Sequence, residues 1–141
     1  MQIYKQEDIQ KINSGLLTVE NRYIDLMLQI FEVSKILKED KAKEDLRHGV
    51  SRRLEVIEHC IENIFSIFPV ERTNLLCRKE LIDVEINLHA FMVNISGLLD
   101  NLAWVSIHEN KLADIIDKNN VGLFKKETKK CLPNKFCQYL D

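Results

Sequence analysis

The stretch from Ile82 to Ile107 constrains this chain more than any other. It reads Ile82-Asp-Val-Glu-Ile-Asn-Leu-His-Ala-Phe-Met-Val-Asn-Ile-Ser-Gly-Leu-Leu-Asp-Asn-Leu-Ala-Trp-Val-Ser-Ile107, with no proline and a single glycine, Gly97. One row at helical spacing runs Leu81, Val84, Leu88, Phe91, Ile95, Leu98, Leu102, Val105. Another runs Ile82, Ile86, Val93, Gly97, Trp104. A helix that is apolar on nearly every side is one that neighbours surround. The stretch is therefore expected to be a central helix with the rest of the chain packed around it. Its length would also suit a membrane span. Asn87, His89, Asn94, Asp100 and Asn101 stand in its middle, however, and polar groups in hydrocarbon are costly. No membrane contact is expected. A buried strand pair does not fit so long a run without a turn signal.

The same stretch carries a polar row at heptad spacing: Glu80, Asn87, Asn94, Asn101, His108. Seven residues are nearly two helical turns, so these side chains line up. Two readings stay open. The row is either a solvent-facing seam or a hydrogen-bonded ladder that fixes register in an interface.

Only 4 Gly and 2 Pro occur, too few for a turn-rich β fold. The hydrophobic fraction of 45% and charged fraction of 30% are those of an ordinary globular domain. Residues 1–141 are read as one domain. A net charge of -2 gives no global reason for nucleic-acid binding. The first residues lack a basic segment followed by an apolar run, so they are not a secretory signal. Cys60, Cys77, Cys131 and Cys137 form no C-x-x-C pair, which argues against zinc. A reduced, cytoplasmic protein is expected.

Along the chain, Ile3 to Asn13 reads as a short helix ended by Ser14-Gly15. Thr18 would cap a second helix with the seam Val19, Tyr23, Leu26, Ile30, Val33, Leu37. The charged run from Lys38 to Asp45 reads as a mobile connection. A third helix follows, with the seam Val50, Leu54, Ile57, Ile61, Ile64, Phe68, closed by Pro69. The central helix should run from near Thr73 through Leu112 and Ile116, broken at Asn119-Asn120 and Gly122. The lysine-rich tail reads as two short helices hinged at Pro133. The predicted fold is an all-α, up-down antiparallel bundle of four to five helices around one long central helix.

Sites are sparse. His59 with Glu55 and Glu62, and His89 with Glu85, lack the Glu-x-x-His spacing of a di-iron bundle, so neither a metal nor another cofactor is expected. No G-x-S-x-G, P-loop or G-x-G-x-x-G occurs. Arg47, His48, Arg52 and Arg53 near one helix start, and Lys125 and Lys126 in the tail, are candidate phosphate contacts.

The run Asn94-Ile-Ser-Gly-Leu-Leu-Asp-Asn-Leu-Ala-Trp-Val105 resembles the central helix of a group of bacterial HEPN-like proteins, which carry N-I-x-G-x-L-D-N-L-A-W. The Ile64-Phe-Ser-Ile-Phe-Pro69 ending, Val121-Gly-Leu-Phe-Lys-Lys126 and Leu132-Pro133 are similar too, so the resemblance spans roughly Arg47 to Leu140. It implies a helical bundle, frequent homodimers and, in active members, metal-independent RNA cleavage by an R-x4-6-H motif. There Arg would stabilise phosphate charge and His would handle the proton of the 2′-hydroxyl. In that group an R-D-x-x-x-H run lies beyond the element matching the tail. Here no Arg occurs from Lys118 to Asp141, and the chain is read as truncated before the motif. Arg53 or Arg52 with His59 matches the spacing on a different helix, but Leu54 follows Arg53 where the motif has a polar residue, and the match is read as accidental. The expectation is a catalytically silent HEPN-like domain, a homodimer with RNA as a further partner. The alternative is a helical dimerisation or protein-interaction module without nucleotide chemistry.

Overall fold

The computed structural model describes residues 4–140. Its elements are α1 (Gln6–Ile36), α2 (Asp40–Glu44), a π-helical segment (Asp45–Ser51), α3 (Arg52–Ile67), α4 (Arg78–Glu109), a 3-10 turn (Lys118–Asn120), α5 (Lys126–Lys129) and α6 (Asn134–Leu140). The fold is all-α, as the periodicities require. The centre is an antiparallel hairpin in which α2, the π segment and α3 run as one rod along α4. α1 lies beside the π segment and α3, and the tail folds over the C-terminal end of α4.

Three local expectations are corrected. First, the break at Ser14-Gly15 does not occur, and α1 is one helix of 31 residues. A helical glycine costs about 1 kcal/mol. Ile9, Ile12, Leu16, Tyr23 and Met27 lie on one continuous inward face, which outweighs that cost. Thr18 does not cap a helix; its hydroxyl donates to the Ser14 carbonyl one turn back, at 2.9 Å. The proposed start at Ile3 lies outside the described residues.

Second, the charged segment after Lys38 is no mobile connection. Its one small apolar residue, Ala42, is fully buried and packs with Leu46, Val50 and Val105. Its backbone is fastened by α4: the Glu109 carboxylate accepts from the Lys38 and Glu39 amides at 3.0 and 3.1 Å. These bonds hold the Glu109 carboxyl below its ordinary pKa. Third, α4 ends at Glu109, short of Leu112 and Ile116. Lys111 adopts φ 58 there, and the Leu112 amide bonds back to the Ile107 carbonyl at 2.9 Å, the wrap that stops a helix.

The two tail helices flank Pro133 as expected. They bring Val121, Leu123 and Leu132 over Ala103 and Ile107. Thr128, fully buried, ties this cap: its hydroxyl accepts from the Gly122 amide at 3.0 Å and donates to the Asn120 carbonyl at 3.2 Å. Cys60 is buried, and the four cysteines are free.

α1 packs loosely. A cavity of about 170 Å³ separates Val19, Tyr23 and Leu26 from Leu54, Ile57 and Ile61. A second, of about 250 Å³, lies between Tyr4, Ile12 and Phe65. The seams predicted for these helices do face each other, but the closely packed core lies elsewhere, between the rod and α4 and under the tail.

Candidate functional site

Between the rod and α4 the heptad row becomes a ladder. Glu80, Asn87, Asn94, Asn101 and His108 are all half-buried, and each meets one residue of the rod or of the turn that leads from it into α4. The residue numbers of the pairs add to a nearly constant value, as an antiparallel register requires. Of the two open readings of this row, the interface ladder is the one realised.

At the loop end, Arg72 clamps Glu80 with two bonds, 3.0 and 2.8 Å, while also donating to the Ile67 carbonyl at 2.9 Å. The Cys77 amide adds a third bond to the Glu80 carboxylate at 2.8 Å. The Arg72 guanidinium and that amide pull the Glu80 carboxyl down to about 2. This pair shapes the turn between α3 and α4 and caps the first turn of α4. One rung further, Asn63 donates to Asn87 Oδ1 at 3.1 Å, and Asn87 spends its own amide on the Asp83 carbonyl at 2.8 Å.

The third rung is Arg53. Its Nη1 donates to Asn94 Oδ1 at 3.2 Å, and the guanidinium occupies the space beside the Gly97 α-carbon where a side chain would begin. A β-carbon at Gly97 would stand 2.3 Å from Arg53 Cζ, so only glycine admits the group there. The fourth rung is a second close approach. Gly49 takes the Asn101 side chain, whose Nδ2 would lie 2.7 Å from an added β-carbon. Two residues of the N-I-x-G run, Asn94 and Gly97, thus form the cradle of one arginine.

The last rung pairs His108 Nδ1 with Asp45 Oδ2 at 2.5 Å, and Trp104 stacks on the imidazole at 5.1 Å between centroids. It borders an open cleft of about 470 Å³ with Lys41, Asp114 and Lys118. Lys41 is paired with Glu44 at 2.9 Å, and the two carboxylates offset the two amines, so the cleft has no excess of positive charge.

The catalytic candidates point apart. Arg53 is committed to α4, whereas His59 is exposed on α3 with Nδ1 3.3 Å from Glu62. Six residues of helix turn them to different faces. Arg52 shares the exposed face with His59, two turns away. Arg47 is exposed and reaches Ser34 Oγ at 3.5 Å. Lys125 bonds the Asn119 carbonyl, and Lys126 opens α5, both exposed in the tail. Among the described residues no three His, Cys, Asp or Glu side chains are grouped to hold a metal ion. Sequence reasoning missed Asp45, Gly49, Asn63 and Arg72. A faint signal was present, since Asp45, Gly49 and Arg53 recur every four residues beside an apolar seam.

By length and composition α4 could cross a membrane, with mean hydropathy 1.3 over its most apolar window, and only 17% of that window is buried. Comparison with known proteins finds no matching protein-family model, no similar curated protein and no similar solved structure.

Proposed function

We propose that this chain is a HEPN-like helical domain that acts by association rather than by chemistry, with a second copy of itself as partner. The observation that carries this reading is surface. A compact monomer of this mass exposes about 7,500 Å². This chain, at 16.5 kDa, exposes 10191 Å². The surplus is on the scale that each protomer of an obligate dimer removes from water. It is also apolar. Leu17, Ile24, Leu28 and Phe31 on α1, and Ile82, Ile86, Met92 and Val93 on α4, are each 45–65% exposed. Exposed apolar surface on this scale marks interaction sites.

The resemblance around Asn94 to Trp104 supports the family part of the reading. The silent part is supported by Arg53, whose guanidinium is held against α4 and turned from His59. RNA contact, which the resemblance implies, would fall to Arg47, Arg52, Lys125 and Lys126. These lie exposed on separate elements, and charge alone recommends them.

Light scattering behind size exclusion tests the association: twice the chain mass is expected at micromolar concentration, and a monomer throughout would overturn it. An RNA-cleavage assay tests the silence. No cleavage is expected, and robust cleavage lost in His59→Ala would overturn it.

A further inference from the structure

The residues Ile82, Ile86, His89, Val93, Ser96, Asp100, Ala103 and Ile107 follow one another on α4 at alternating intervals of four and three. That is one continuous heptad seam, the pattern of a helix that packs along another helix. It lies on the side of α4 away from the ladder. Its last two members, Ala103 and Ile107, are completely buried beneath Val121, Leu123 and Leu132 of the tail. Its first six are all exposed. A single stripe is therefore covered at one end by the chain itself and bare along the rest, about 30 Å of helix.

We infer that a second copy of the chain covers this bare seam through its own α4, running antiparallel, with Ile82 against the second copy's Val93 and Ile86 against its His89. The inference rests on the self-association proposed above and names its surface. Two arguments select this occupant. The first is area, since the surface left over matches what a dimer requires. The second is charge. A twofold contact needs a patch complementary to itself. In the antiparallel register Lys79 at one end comes within about one helical turn of the second copy's Asp100 at the other. Both are exposed, and neither has an ion-pair partner among the described residues. A parallel register would set lysine against lysine and aspartate against aspartate. A lipid surface suits the seam poorly, because His89, Ser96 and Asp100 interrupt it. Of the polar members His89, Ser96 and Asp100, His89 in the middle is the one that fixes register at some cost in affinity.

Sedimentation equilibrium on the full chain tests this. Ile86→Glu and Val93→Glu alter side chains that are exposed in the monomer, so helicity by circular dichroism should be unchanged while the dimer weakens by about 100-fold. Lys79→Asp and Asp100→Lys should each weaken it about ten-fold, and the two together should restore it. A dimer indifferent to Ile86→Glu and Val93→Glu would place the interface elsewhere, leaving self-association standing. A double charge swap that fails to restore would overturn the antiparallel register. A wild-type chain that is monomeric throughout would remove the underlying reading itself.

Discussion

Replacing Gly97 by alanine sets two opposed effects against each other, and their balance depends on one side chain. Alanine is favoured over glycine in a helix interior by about 1 kcal/mol. The new β-carbon, however, would stand 2.3 Å from Arg53 Cζ and 2.4 Å from Nη1. Those atoms end a flexible side chain, so the guanidinium swings aside rather than forcing the helices apart. It then forfeits the bond to Asn94, 3.2 Å long and half-buried, and a bond from a charged donor contributes about 1.5 kcal/mol or more. The net expectation for Gly97→Ala is a small destabilisation, about 0.5–1 kcal/mol. In an Arg53→Ala background the collision and the bond are both gone. There Gly97→Ala should stabilise by about 1 kcal/mol, raising Tm by roughly 4 °C for a chain of this size. The assay is thermal and urea unfolding of the four variants at one chain concentration, because self-association couples stability to concentration. The sign reversal is the test. If Gly97→Ala stabilises equally with and without Arg53, the guanidinium does not lie over Gly97, and the structural explanation of the N-I-x-G run is wrong.

Gly49→Ala should be worse than Gly97→Ala. The added carbon meets not only the Asn101 amide but Asn101 Cβ at 3.2 Å, which no torsion can move. Over-packing of about 1–3 kcal/mol is expected in urea unfolding. Thr128→Val keeps the shape but leaves the Gly122 amide without its acceptor, so a loss of about 1–3 kcal/mol should appear in the same measurement. Acid should weaken the fold through Glu80 and Glu109. Both carboxyls are depressed in the folded chain, Glu80 to about 2, so each stabilises fully above the ordinary value near 4.5. That contribution is lost as pH falls from there toward 2, and the fall of Tm across this window should be shallower in Glu80→Gln.

The long helices were legible because their apolar positions recur at four and three, a signal that needs no partner to be read. Boundaries were less so. Gly15 looked like a stop because its local cost is visible in sequence, whereas the inward face that carries α1 through it draws its stability from contacts with another helix. The segment after Lys38 looked like a linker because it is charged. One alanine against Val105 and one distant carboxylate, Glu109, order it, and neither is visible locally. The ladder was half legible: the row on α4 could be read, its partners could not.

What the sequence determined by itself is the helical class, the long α4 and the heptad alignment of Glu80, Asn87, Asn94, Asn101 and His108. Periodicity fixes which residues share a face of one helix. Tertiary structure alone decided which face meets which. It turned the polar row inward onto Arg72, Asn63, Arg53, Gly49 and Asp45, a register in which four members of the row find a hydrogen-bond or ion-pair partner and Asn101 packs against Gly49. It also left the opposite stripe, Ile82 to Asp100, bare. The tail reaches only the last turns of α4, so the apolar surface that a sequence reading assigns to a central core stands free to meet another chain.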